Sequence, residues 1–186
     1  FIAETTSGVI NAQTDINAVG NLDWKVAGVA DFTGDGKNDI LWRNMRNGRN
    51  TLWQMDGTTF QQNIAIKRMK KTSWRIGGVA DFNNDSKADI LWRNTANGRN
   101  AVWHMNGTNF QSSSAIKRVK SQAWQIAGVG DFTGDGKADI LWRNTTNGVN
   151  SVWQMNGTAF QGGITIQSQA DPDWQIAGPL LGLWEA

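Results

Sequence analysis

Residues 31–44 read DFTGDGKNDILWRN, and the phrase returns as DFNNDSKADILWRN at 81–94 and DFTGDGKADILWRN at 131–144. The spacing is fifty residues each time, with no insertion. Trp24, Trp74, Trp124 and Trp174 keep the same period, as do Trp42, Trp92 and Trp142, and then Trp53, Trp103 and Trp153. A unit of this length cannot bury its own faces and must stack on its neighbours, so the period points to propeller blades or a solenoid.

Each unit reads as four short strands. In the first they are WKVAGVADF at 24–32, DILWRN at 39–44, NTLWQM at 50–55 and NIAIKRMK at 63–70. Asn47-Gly48, Asn97-Gly98 and Asn147-Gly148 join the second and third strands, and Asp56-Gly57, Asn106-Gly107 and Asn156-Gly157 join the third and fourth. Such dipeptides predict type I′ hairpins, which need φ > 0 at both central residues. The expected unit is a four-stranded antiparallel meander, and the fold class is an all-β propeller. Gly28, Ala30, Gly78 and Ala80 suit a crowded innermost strand. Lys67, Arg68, Lys70 and Lys71, and later Lys117, Arg118 and Lys120, suit a charged outer edge.

The phase divides a single domain, 1–186, into a half-blade at 1–23, full repeats at 24–73, 74–123 and 124–173, and a second half-blade at 174–186. Asp23-Trp24 aligns with Asp173-Trp174, and WQIAGPLLGLWEA at 174–186 resembles a first half-unit without its acidic loop. The two ends are therefore expected to complement each other. They would close a ring of about four blades within one chain, or exchange between two chains, or join head to tail into a filament.

The 186 residues carry a net charge of +2, 21 Gly, 11 Trp, no Tyr and no Cys. Disulfides are excluded, and so weak a charge does not argue for nucleic acid. No apolar run is long enough to span a membrane. A chain opening on Phe1 without a signal peptide is expected to be a processed or trimmed product.

The acidic phrase carries chemistry of its own. Three Asp within nine residues repel one another unless a cation sits among them, and oxygen donors favour Ca²⁺ over the more exacting Mg²⁺. The candidate ligands are the side chains of Asp31, Thr33, Asp35 and Asp39 with the carbonyl of Lys37 in the first loop. The second loop offers Asp81, Asn83, Asp85 and Asp89 with the carbonyl of Lys87, and the third Asp131, Thr133, Asp135 and Asp139 with that of Lys137. Up to three structural Ca²⁺ ions are expected. No Glu stands at the twelfth position, so these are not EF-hands. The competing reading is a set of turns in which the carboxylates cap backbone amides without metal. Gly36 and Gly136 allow a sharp turn where Ser86 is expected to be strained.

D-F-x-x-D-G-K-x-D-I-L-W-R-N followed by W-x-M-N-G-T resembles the FG-GAP/VCBS repeat family, over nearly all of residues 24–173. That family includes the calcium-loaded propeller of integrin α chains and lectins of the Psathyrella velutina type. The resemblance implies an extracellular, secreted, calcium-binding propeller acting as a lectin or adhesion module. Two departures stand against it: such lectins usually have seven blades, and the last unit here lacks its acidic loop.

Trp stacks on sugar faces, while Asn and Arg read hydroxyls. Candidate sugar contacts are Trp42, Arg43, Asn44 and Trp53, with Trp92, Arg93, Asn94 and Trp103, and Trp142, Arg143, Asn144 and Trp153. The competing reading makes each Trp a wedge between blades, its indole N–H bonded to a carbonyl. His104 stands where other units have Gln54 and Gln154, reads as a surface variation, and leaves histidine-based catalysis without support. The chain is therefore expected not to be an enzyme. Its expected partners are glycans or cell-surface polysaccharide, with self-association into a homo-oligomer as the structural alternative. An accessory domain of a larger secreted protein is a third reading.

Overall fold

The computed structural model describes residues 2–6, 9–171, 174 and 176. Those residues form fourteen strands and no helix. β1 (Ile2–Thr6) and β2 (Val9–Thr14) form a hairpin. Three antiparallel sheets follow, each with its strands in sequential order. The first is β3 (Trp24–Ala30), β4 (Asp39–Asn44), β5 (Asn50–Asp56) and β6 (Thr59–Ile66). The second is β7 (Trp74–Ala80), β8 (Asp89–Asn94), β9 (Asn100–Asn106) and β10 (Asn109–Ile116). The third is β11 (Trp124–Gly130), β12 (Asp139–Asn144), β13 (Asn150–Asn156) and β14 (Ala159–Ile166). These are propeller blades in tandem.

The β1–β2 hairpin pairs Ile2 with Thr14 and shifts register between Glu4 and Thr5. Fifty residues on, Leu52 pairs with Ile64 and the shift falls between Gln54 and Met55. The hairpin is thus the outer half of a blade, as the repeat phase predicts. The expected counterpart at 174–186 lies almost wholly outside the described residues.

The blades meet through their first strands, β3 against β7 and β7 against β11. Glycine allows that approach: a Cβ on Gly28 would lie 2.8 Å from Val79 Cγ1, and one on Gly78 2.4 Å from Val129 Cγ2. The hydrophobic clusters lie between sheets. Phe32, Leu41 and Leu52 of the first blade pack with Ile90, Trp92 and Met105 of the second. Phe82, Leu91 and Val102 of the second pack with Ile140, Trp142 and Met155 of the third.

Two expectations need correction. The fourth strand starts earlier than predicted, at Thr59, and ends at Ile66. A two-residue turn lets it begin at once, so Lys67, Arg68, Lys70 and Lys71 sit in the connection to the next blade and not on an edge strand. The turns are not type I′ either. At each Asn-Gly and Asp-Gly site only the glycine has positive φ, as in Gly48 at 75° and Gly57 at 59°. Between β4 and β5 the loop is five residues long, closed by the Gly48 amide donating to the Asn44 carbonyl at 2.9 Å.

Candidate metal loops and inter-blade sites

Each acidic loop joins the first strand of a blade to the second, and all three follow one plan. Asp31 accepts from the amides of Gly34 (2.6 Å) and Asp35 (3.3 Å) through Oδ1, and from Gly36 (2.8 Å) through Oδ2. Asp35 Oδ1 accepts from the Lys37 amide at 2.9 Å. Asp81 and Asp131 repeat the first pattern, Asp85 and Asp135 the second. The Gly136 amide is the main cause holding the Asp131 carboxyl below its ordinary range.

The ninth-position aspartates turn inward. Asp39, Asp89 and Asp139 are buried. Asp39 accepts from the Phe32 amide at 3.2 Å and, across to β5, from Met55 at 3.1 Å. These groups tie the loop to the third strand. Burial raises the carboxyl pKa of Asp39 and Asp89 against the lowering effect of those amides.

The loops therefore contain the amide-capping arrangement weighed above. Among the described residues no three carboxylate or imidazole side chains converge into a cation cage. The donor chemistry nevertheless suits a hard cation. An amide-bonded carboxylate keeps free lone pairs, Asp35, Asp85 and Asp135 are exposed, and Thr33 Oγ1 is buried with no hydrogen-bond partner. An orphaned oxygen at the third loop position stands where a ligand was expected. Around the first loop, Lys37 pairs with Asp56 at 2.8 Å, which raises the lysine pKa.

Ser86 adopts φ 65° where Gly36 and Gly136 take 81° and 78°. The strain expected of the second loop is present, and Asn84 at φ 66° adds to it.

His104 is not a surface variation. Its Nδ1 lies 3.2 Å from Asp89 Oδ2 and its Nε2 3.0 Å from Ser114 Oγ, with 15% of the side chain exposed. Register could have shown this, because the third strand crosses beside the ninth loop position in every blade.

The candidate sugar-contact residues divide by burial. Trp92, Trp103 and Trp142 are buried and offer no face to a sugar, while Trp42, Trp53 and Trp153 are half-buried. Within each blade they form a ladder: Trp42 to Trp53 at 4.9 Å between ring centroids, then Trp53 to Phe60 at 5.1 Å. Equivalent ladders run through Trp92, Trp103 and Phe110, and through Trp142, Trp153 and Phe160. The wedge reading describes the buried rings, but its hydrogen bond is absent. Nε1 of Trp42, Trp92 and Trp142 is buried without a partner, and for Trp92 and Trp142 the surroundings are the apolar seams between blades.

Arg43, Arg93 and Arg143 reach toward the following unit. Arg43 Nη2 donates to the carbonyls of Met69 and Trp74, and its guanidinium covers the Trp92 ring. Arg93 reaches Val119 and Ser121 and covers Trp142. Arg143 donates to the carbonyls of Gln169 and Trp174. Asn44, Asn94 and Asn144 take up loop amides through Oδ1, so they are turn chemistry.

The FG-GAP-like repeat matches residues 31–92 and again 81–142, and the FG-GAP repeat matches 123–166. The chain belongs to the FG-GAP repeat family. FG-GAP repeats are generally associated with calcium binding. No curated protein matches this FG-GAP chain. Among solved structures it is similar to a protein of unknown function from Bacteroides caccae, at 14% identity and a TM-score of 0.45. That likeness covers 79% of this chain and 48% of the other, so the FG-GAP chain spans about half its length.

Proposed function

We propose that this FG-GAP chain is an extracellular binding module, not an enzyme, whose blades are tied by calcium and whose ligand is carbohydrate. The observation that carries the calcium part is the buried, unpartnered Thr33 Oγ1 inside a loop rich in carboxylate. Asp31, Thr33, Asp35 and Asp39 with the Lys37 carbonyl would hold the ion, as would their counterparts in the next two loops. The ion's contribution is charge: it would offset the repulsion among the loop aspartates and join the first strand to the second.

Carbohydrate binding is supported by half-buried Trp42, Trp53 and Trp153 beside polar strand ends, and by repetition, which turns weak sites into avidity. A glycan array in millimolar calcium and again in chelator tests both parts. Calcium-dependent binding to a narrow class of sugars supports the reading. Silence in both conditions, from folded protein, rejects the carbohydrate part.

A second reading is assembly. Phe132 is 48% exposed where Phe32 and Phe82 are 0% and 3%, and Ile166 is 41% exposed where Ile66 and Ile116 are 9% and 8%. Val29, on the opposite flank, is 54% exposed. Another blade seated on these flanks would cover them, so solution mass discriminates: a strict monomer rejects this reading.

A further inference from the structure

A cavity of about 340 Å³ opens where the first strands of the three blades converge. Its volume falls within the range of small-molecule sites, roughly 300–1,000 Å³. Among the described residues four cations line it, Lys25, Arg43, Arg75 and Arg93, and no carboxylate does. The cavity uses the start of each first strand and the ends of the second strands of the first two blades, whereas the acidic loops connect the opposite ends of those strands.

Strand register forces the cations together. Lys25 pairs across the ladder with Arg43, and Arg75 with Arg93. Like charges placed directly opposite each other are destabilising. Arg43 is buried, and burial together with the charge of Arg75 lowers its pKa to about 10. Its Nη atoms are spent on carbonyls and on Asn50, while Nε is buried with no partner. Arg93 is likewise held by Asn100 and by carbonyls. Among the described residues neither Arg43, Arg75 nor Arg93 forms a salt bridge to a carboxylate.

In the third blade the cation gives way to Gln125, paired with Arg143. Gln125 joins Gln122 and Thr95 in the lining, so the cavity combines guanidinium donors with amide and hydroxyl groups. Guanidinium forks match carboxylates, and the amide and hydroxyl groups suit the hydroxyls of a sugar ring.

We propose that this cavity binds the carboxylate of an acidic sugar residue, with Arg75 as the principal contact. Arg75 is the half-buried member of the trio, its Nη1 donating to the Thr72 carbonyl. The proposal deepens the carbohydrate reading and rests on it for the sugar, while the positive cavity is independent of the loops.

The test is titration of the intact chain with D-glucuronate and with D-glucose, followed by calorimetry and by amide shifts, in calcium at neutral pH. Glucuronate should bind at least ten-fold more tightly than glucose and shift amides at the starts of β3, β7 and β11. Arg75→Gln should lose about ten-fold, with Arg75→Lys recovering only part of that loss, because an ammonium keeps the charge but not the planar fork. Gln125→Glu, at an exposed position, places a carboxylate in the cavity and should abolish glucuronate binding without unfolding the chain. Equal binding of the two sugars overturns the proposal and leaves the carbohydrate reading standing. Binding of neither, alongside a positive array, places the sugar site elsewhere and also overturns it. Unchanged glucuronate affinity in folded Arg75→Gln and Gln125→Glu does the same.

Discussion

The guanidinium of Arg43 lies over the indole of Trp92, its Cζ 4.8 Å from the ring centroid, while Nη2 donates to the Trp74 carbonyl at 2.9 Å. One side chain thus bonds the connection between two blades and covers the core aromatic of the next. Arg93 does the same to Trp142 at 4.9 Å. Replacing Arg43 by Met keeps apolar cover but orphans the carbonyls it served. Chemical denaturation should show a loss of about 2–4 kcal/mol. Arg43→Lys should recover little, because an ammonium lacks the planar fork. An Arg43→Met chain as stable as the parent would refute the inter-blade role.

Glycine positions separate into two kinds. A Cβ on Gly98, at φ 72°, would lie 1.9 Å from the Val119 carbonyl oxygen, while one on Gly136, at φ 78°, meets nothing within 4 Å. Gly98→Ala should cost on the order of 3 kcal/mol or more, and Gly136→Ala about 1 kcal/mol. Ser86→Gly should stabilise by about 0.5–1 kcal/mol by relieving positive φ. Thermal melts of the three variants check the order, and a reversed order would contradict the loop geometry.

The orphaned hydroxyl of Thr33 gives the calcium proposal a test that changes sign. In chelator, Thr33→Val should be no less stable than the parent, because it removes a buried oxygen without a partner. In millimolar calcium the parent should gain stability as RT ln(1 + [L]/Kd), and the variant should gain less. Equal calcium-induced shifts in melting temperature would remove Thr33 from the ligand set.

Burial raises the carboxyl pKa of Asp89. A carboxyl whose folded pKa exceeds its unfolded one favours folding most below the unfolded value, and that contribution fades as pH climbs through the folded value. Without calcium, the parent should therefore lose stability relative to Asp89→Asn between about pH 4 and pH 7. Denaturation of both proteins in chelator at the two pH values checks this. A gap that is constant with pH, or that moves toward the parent, contradicts the assignment.

The repeat, the blade order and the outer half-blade were legible because Trp and acidic residues mark them at one period. Asp39 to Asn44 emerged as a strand with the predicted bounds. The charge of Lys67 predicts an outer edge, whereas its Nζ sits 3.2 Å from the ring centroid of Phe110 in the next blade. Composition cannot show which side of a connection a cation covers. Asp39 is legible as a loop carboxylate, but not as the acceptor for Met55, because that bond runs from β4 to the neighbouring β5 and depends on their register. Arg75 carries no signal in the sequence, because its register partner, Arg93, is opposite it only once both strands are laid side by side.

The hydrophobic clusters lie at the seams between sheets and not inside any one of them. A fifty-residue duplication therefore inherits half of a seam on each flank, and every copy inserted between two others arrives with its packing partners ready. Blade number in such a chain can drift by copying or losing a unit, without any core having to be redesigned. Unfolding should run from the outermost seams inward, as in other one-dimensional arrays.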